Sequence, residues 1–267
     1  MPQDTYSHGH HSSVVSSHAT RTAMDSAAYL MPHLSPGLHI LDVGCGPGSI
    51  TVDLADLVAP GRVTGLDRSE DVLVQARKLA VKRGAGNVGF ISGNVYDLDF
   101  PDDTFDVVHA HQVLQHLTDP VAALHEMRRV TRQGGIVAVR DADYHGMSWY
   151  PEVPELAEWM DTYQQIARGN HAEPDAGRRL ISWALDAGFS GLVPSSTSWV
   201  YATEDRRQWL AGAWSQRILH SAFAEQALER GLASQEKLER MAGGWTRWSA
   251  APDGWFLMPS GELIARP

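Results

Sequence analysis

The stretch Leu41-Asp42-Val43-Gly44-Cys45-Gly46-Pro47-Gly48-Ser49 couples a short apolar run to three glycines at alternate positions. His39–Val43 has the composition of a buried strand, and Ser49 opens a helical pattern that runs to about Ala59, where Pro60-Gly61 ends it. Glycines at 44, 46 and 48 let the backbone turn sharply at the carboxyl end of the strand and approach a ligand with no Cβ in the way. In an open parallel sheet such a turn faces the crevice beside a helix amino terminus.

Outward from this turn the pattern alternates. Arg62–Asp67 is a second strand, and Ser69 caps a helix with Glu70 and Asp71 in its first turn, Lys82 and Arg83 in its last and Gly84 beyond, each suited to the helix dipole or its caps. Val88–Ser92 and Phe105–Ala110 are strands three and four. Asp119-Pro120 starts a helix to about Thr131, closed by Gly134-Gly135, and Ile136–Arg140 is strand five. Five strands alternating with helices predict an α/β, doubly wound, mostly parallel sheet. Before it, residues 16–31 read as a helix with Arg21 near its start. After it, 154–168, 175–187, 204–230 and 234–248 read as helices, and 191–202 and 254–266 as strands. The division expected is 1–35 as a lid segment and helix, 36–142 as a cofactor-binding core, and 143–267 as the last strands plus a helical cap.

Thirty-two acidic residues against 22 basic ones give a net charge of −10, which argues against nucleic acid or anionic membrane as a partner. One cysteine, Cys45, can form neither an internal disulfide nor a cysteine cage for a metal. His8, His10, His11 and His18 cluster near the start without a familiar ligand spacing, so no metal site is expected. The polar first residues have no layout of a secretion signal, and the expected location is the cytoplasm. All nine tryptophans lie after residue 148, so the second half adds bulky apolar surface to a glycine-bearing first half.

Two cofactor classes use such a loop. A dinucleotide-binding G-x-G-x-x-G would place its third glycine at position 49, which is Ser49, and no Tyr-x-x-x-Lys pair follows strand five. Asp67, at the end of the second strand, suits the ribose hydroxyls of either class. Taken with VTGLDRS, GNVYDLDFPDDTFDVVHAHQVLQHLTDP and RRVTRQGGIVAV, the loop resembles the class I S-adenosylmethionine-dependent methyltransferases, in the branch of quinone-biosynthesis and natural-product enzymes, over roughly residues 35–142. The resemblance implies a seven-stranded sheet with an antiparallel strand among the last two, an N-terminal lid helix and C-terminal helical cap insertions.

It also implies site residues. Asp42, Gly44, Cys45, Gly46 and Gly48 would surround the methionine and ribose parts, Asp67 would hold the ribose, and Arg68 would flank the adenine. At Gly93-Asn94-Val95, Asn94 stands where an acid usually meets the adenine amino group, with Val95 beside it. His111 would face the methionine portion and the methyl group. Tyr6, with His8 and His11, would belong to a lid over the cofactor, and Arg21 would pair with the methionine carboxylate. Histidine titrates near neutrality, so His111 and His145, which follow strands four and five, are the candidate catalytic bases, and His116 is taken as structural. Trp149, Tyr150, Trp159, Tyr163, Trp199, Trp209, Trp214, Phe223, Trp245 and Trp248 would shape an enclosed pocket for an aromatic or terpenoid-like acceptor. The activity expected is methyl transfer from S-adenosylmethionine, leaving S-adenosylhomocysteine, to a small-molecule acceptor at oxygen, nitrogen or carbon. An NAD-type oxidoreductase, a non-catalytic binder of the same cofactor and a protein or RNA methyltransferase are the competing readings. A homodimer is left open.

Overall fold

The computed structural model describes Asp4 and residues 20–267. Its centre is a sheet in which β1 (His39–Val43), β2 (Arg62–Asp67), β3 (Val88–Ser92), β4 (Phe105–His111) and β5 (Thr131–Ala142) run parallel in the order β3-β2-β1-β4-β5. The chain then returns antiparallel: β8 (Trp255–Arg266) pairs with β5 through Ser260–Ala265, and β7 (Ser190–Tyr201) flanks the other edge of β8. The doubly wound, mostly parallel sheet read from the sequence is therefore present. An eighth strand, β6 (Ser148–Tyr150), continues the edge of β5 by pairing with Trp255–Leu257. Three residues are too short to show a period, which is why the sequence gives no sign of it.

Strands β1, β4 and β5 are buried on both faces, as parallel strands under helices must be. One face packs Ile40, Val63, Val107, Ile136 and Ile264 against α1 (Ala23–Ser26) and α2 (Ser49–Val58). The other packs Leu41, Val43, Leu66, Val108, Val137 and Val139 against α4 (Pro120–Val130) and α6 (Leu180–Asp186). α3 (Glu70–Arg83) covers the β2–β3 end. A third core belongs to the second half: α5 (Pro154–Gly169), α7 (Glu204–His220), α8 (Ala222–Glu229) and α9 (Gln235–Ala250) bury Trp159, Trp214, Trp245, Trp248 and Phe256 together.

Three helices differ from the sequence reading. The span 175–187 opens as a 3-10 turn, Ala176–Arg179, and is α-helical only over Leu180–Asp186. Among its described residues the span 16–31 holds the single α-turn α1 and the first residue of a 3-10 turn, Met31–His33. Thr22 and Asp25 form a capping box that fixes the start at Ala23, Ala27 leaves helical geometry, and Pro32 lacks the amide a continuing helix needs. The span 204–230 is two helices. Ser221 takes an extended conformation, donates its hydroxyl to Arg217 O at 2.7 Å and accepts from Phe223 N–H at 3.2 Å, so one side chain ends α7 and caps α8. No helix among the described residues is long and apolar enough to cross a membrane.

Candidate active site

The glycine turn sits at the carboxyl end of β1. Gly44, Gly46 and Gly48 all have positive φ, +66°, +55° and +81°. A Cβ on Gly44 would collide with the Val113 side chain, and one on Gly48 would stand 2.8 Å from the Ala76 Cβ. A Cβ on Gly46 would meet nothing within 4 Å, so the backbone there faces open space. Gly46 N–H donates to Asp67 Oδ2 at 3.0 Å and Ser69 N–H to Asp67 Oδ1 at 2.9 Å, which locks the β2 carboxylate beside the turn. Cys45 N–H is held by Leu66 O at 3.0 Å; burial first, then Asp42 and Asp67, hold its thiol far above the ordinary range, so it supplies no thiolate.

Asp42 acts from beneath the loop. It is buried, accepts Thr51 Oγ1–H at 2.5 Å and lies 2.8 Å from Nδ1 of the wholly buried His109. Each carboxylate oxygen thus has one contact, which ties β1 to α2 and β4 directly behind the glycine turn. Arg68 Nη1 donates to Asp4 O, and the Asp4 carboxylate accepts from Tyr96 Oη–H at 2.9 Å and Thr118 N–H at 2.8 Å. Asn94 is exposed and accepts Tyr96 N–H at 3.1 Å, while Val95 is buried in the core behind it. Arg68, Asn94 and Asp67 thus lie along one edge of the cleft. Tyr6 and His8, His10, His11 and His18 lie outside the described residues.

The segment after β4 links this cleft to a cavity of about 410 Å³. Val113 abuts Gly44, while Gln112, Gln115 and His116 line the cavity. Gln112 takes φ +54°, and its Oε1 accepts Arg21 Nη2–H at 2.6 Å. Gln112 Nε2 is buried with no partner among the described residues, an orphaned donor in the cavity wall. Gln115 is fully tied: its N–H donates to Asp141 Oδ1 at 3.1 Å and its Oε1 accepts Ala142 N–H at 3.2 Å. Its amide nitrogen must therefore donate to His116 Nε2, 2.9 Å away. Burial, with the nearby Arg21 charge, lowers the His116 pKa to about 3, so the ring is neutral. His116, taken as structural from the sequence, is a cavity residue.

The opposite wall comes from Tyr144, from Trp199 and Tyr201 of β7, and from one face of α7. Of the aromatic residues expected to form a pocket, Trp199, Trp209 and Trp214 do so. Trp159, Trp245 and Trp248 are wholly buried in the helical core, where their contact area is spent on one another. Trp199 is fixed by its Nε1–H donating to Asp25 O at 2.8 Å. His111 is buried at the end of β4, beside Arg140 of β5 and 5.9 Å from the Trp199 ring, behind the cavity wall. His145 is exposed and absent from the cavity; its N–H is used by Asp175, which fixes the loop. The structure does not bring the two histidines together: His111 is buried against β5, and His145 faces solvent. The residues the sequence reading passed over, Arg206 and Arg217, sit on α7 with Trp209, Leu210, Ala213 and Trp214 at a helical period that a stripe analysis of 204–220 would expose.

Comparison with known proteins follows this geometry. The methyltransferase-domain family matches residues 34–220. An uncharacterised methyltransferase of Schizosaccharomyces pombe is 36% identical over 97% of this chain and 95% of its own. The chain belongs to the class I methyltransferases. A second methyltransferase relative, the probable methyltransferase ltbC of Aspergillus luteorubrus, is 33% identical over 98% of this chain and 97% of its own. The fold of this methyltransferase also matches Haemonchus contortus phosphoethanolamine N-methyltransferase 2, solved with phosphomonomethylethanolamine and S-adenosylhomocysteine. That match has a TM-score of 0.56 and 19% identity, covering 87% of this chain and 49% of that one.

Proposed function

We propose that this methyltransferase takes its methyl group from S-adenosylmethionine and passes it to a small organic acceptor bound in the aromatic cavity. One observation carries the reading. The segment 112–116 touches both the glycine turn, through Val113, and the cavity, through Gln112, Gln115 and His116. Donor and acceptor sites therefore share a wall. The turn fits an adenosyl cofactor: Gly46 faces open space where a Cβ would intrude, and Asp67 is pinned beside it. Gly44, Gly46, Gly48, Asp67, Arg68 and Asn94 would hold the cofactor. Arg21 and the Gln112 amide line the cavity end, with His111 behind the wall.

When bound, the cofactor supplies a sulfonium-activated methyl and its own leaving group. The chain's task is alignment and exclusion of water. Arg21 and Gln112 form one hydrogen-bonded unit that can fix the acceptor, and Trp199, Tyr201 and Trp214 provide flat apolar surface. His116, neutral and held by Gln115, donates or orients and is not a cation at working pH. The net charge of −10 supports a small-molecule acceptor over nucleic acid and fits a protein working in the cytoplasm without membrane attachment. Calorimetric titration with S-adenosylhomocysteine and with NADH tests the donor. Binding of the first and not the second is expected; the reverse would overturn the proposal.

A further inference from the structure

We propose that the acceptor is a planar molecule carrying an anionic oxygen, a carboxylate or phenolate, recognised by arginines that are themselves stacked on the cavity's aromatic rings. This rests on the proposed donor reading and narrows its acceptor.

Three guanidiniums line the same cavity, each against a different ring. Arg21 lies 5.3 Å from the Trp199 ring centroid, Arg206 5.0 Å from that of Tyr201 and Arg217 5.0 Å from that of Trp214. A set of Trp and Tyr rings can also act as a cage for a cationic amine, which binds through the ring faces. Here arginines of the protein already use those rings, and a cationic ligand would meet them as like charges. The cavity favours the opposite sign.

The neighbouring acids do not reverse this. Asp25 accepts from Thr22 N–H at 3.1 Å and Ser26 Oγ–H at 2.5 Å through Oδ1 at the helix start, and it is exposed, so solvent screens its charge. Asp205 and Arg206 are adjacent and both exposed in the first turn of α7, so their charges offset one another and Arg217, only 8% exposed, sets the sign. The polar groups of the wall are also biased toward donors. Gln112 Oε1 is used by Arg21, which leaves its buried Nε2 as a donor, and Arg217 has only donors to offer. A volume of about 410 Å³ between flat rings suits a fused bicyclic body.

The experiment uses the full chain saturated with S-adenosylhomocysteine and follows quenching of tryptophan fluorescence by three probes of one shape: 2-naphthoate, 2-naphthamide and 2-naphthylmethylammonium. The expected order is naphthoate tightest, at least tenfold over the amide, with the ammonium weakest. Arg217→Gln and, separately, the exposed Arg206→Gln each reduce that preference several-fold while S-adenosylhomocysteine affinity is retained. Equal affinity for the three probes, preference for the ammonium, or a carboxylate preference that neither substitution changes would overturn the inference. Failure of S-adenosylhomocysteine to bind would instead overturn the donor reading, so the two failures are distinguishable. If Arg217→Gln does not fold, Arg206→Gln alone decides, because its side chain is on the surface.

Discussion

At the scale of single residues the account turns on Asp67 and Asp141. Asp67 is held by two backbone N–H groups, Gly46 and Ser69, so its carboxylate is placed before any ligand arrives. Asp67→Asn keeps the shape and removes the charge that would hold two ribose hydroxyls. A 10- to 100-fold loss of S-adenosylhomocysteine affinity is expected by calorimetry, with an unchanged melting temperature to within about 4 °C. Asp141 is different. It is wholly buried at the end of β5, where the backbone N–H groups of Gln115 and Leu114 face its carboxyl. Burial pushes its carboxyl up to about 7. The folded chain therefore keeps a proton that the unfolded chain, with a carboxyl near 4, has released. This contribution to stability is fully present below about pH 4 and is lost as pH rises through about 7. In urea melts between pH 4 and 8, Asp141→Asn is expected to abolish that downward slope and to be the more stable form at pH 8. A variant that keeps the full slope would exclude Asp141 as its source.

At the scale of elements, the parts that repeat a strong period are legible in the sequence and the parts set by one side chain are not. The strands β1 to β4 and the helices α2, α3, α4 and α5 follow from apolar runs, Pro and Gly punctuation and caps. The Ser221 break is invisible to periodicity, because serine neither interrupts the apolar stripe nor forbids a helix; only its two hydrogen bonds reveal the restart. The site divides the same way. The glycine turn and Asp67 announce themselves by spacing, whereas His116 enters the cavity because Asp141 and Ala142 of β5 anchor Gln115, a long-range pairing no local pattern shows. Sequence proximity to a strand end likewise favoured His145, yet the tight turn Tyr144–Gly146 directs it to solvent. His145→Ala is accordingly expected to leave methyl transfer within about twofold of wild type. His116→Ala removes a cavity group, and a loss of tenfold or more in kcat/KM is expected for the same acceptor.

At the scale of the whole molecule, charge buried in the sheet joins the two halves. His111, Arg140, Glu262 and Ser195 are in register across β4, β5, β8 and β7. Arg140 Nε lies 3.2 Å from Glu262 Oε1, both side chains almost fully buried, and Ser195 and Thr197 donate to the same carboxylate. Arg140 also lies over the Trp199 ring, 4.7 Å from its centroid. The pair thus connects β4 and β5 to β7, the strand that carries Trp199 and Tyr201 of the cavity wall. Arg140→Met leaves Glu262 as an uncompensated buried charge and is expected to cost about 3–5 kcal/mol in denaturant unfolding. Arg140→Met with Glu262→Leu removes both charges and should recover most of that loss. A double variant as unstable as the single one would show that packing, not charge pairing, holds this junction.

A crystal structure of the full chain grown with S-adenosylhomocysteine tests the proposed donor site most directly. Ribose hydroxyls within hydrogen-bond distance of Asp67, with the sulfur end directed toward the cavity wall at Gln112, are the predicted result. Density for the ligand anywhere else, or saturating ligand with the glycine turn left untouched, would contradict it.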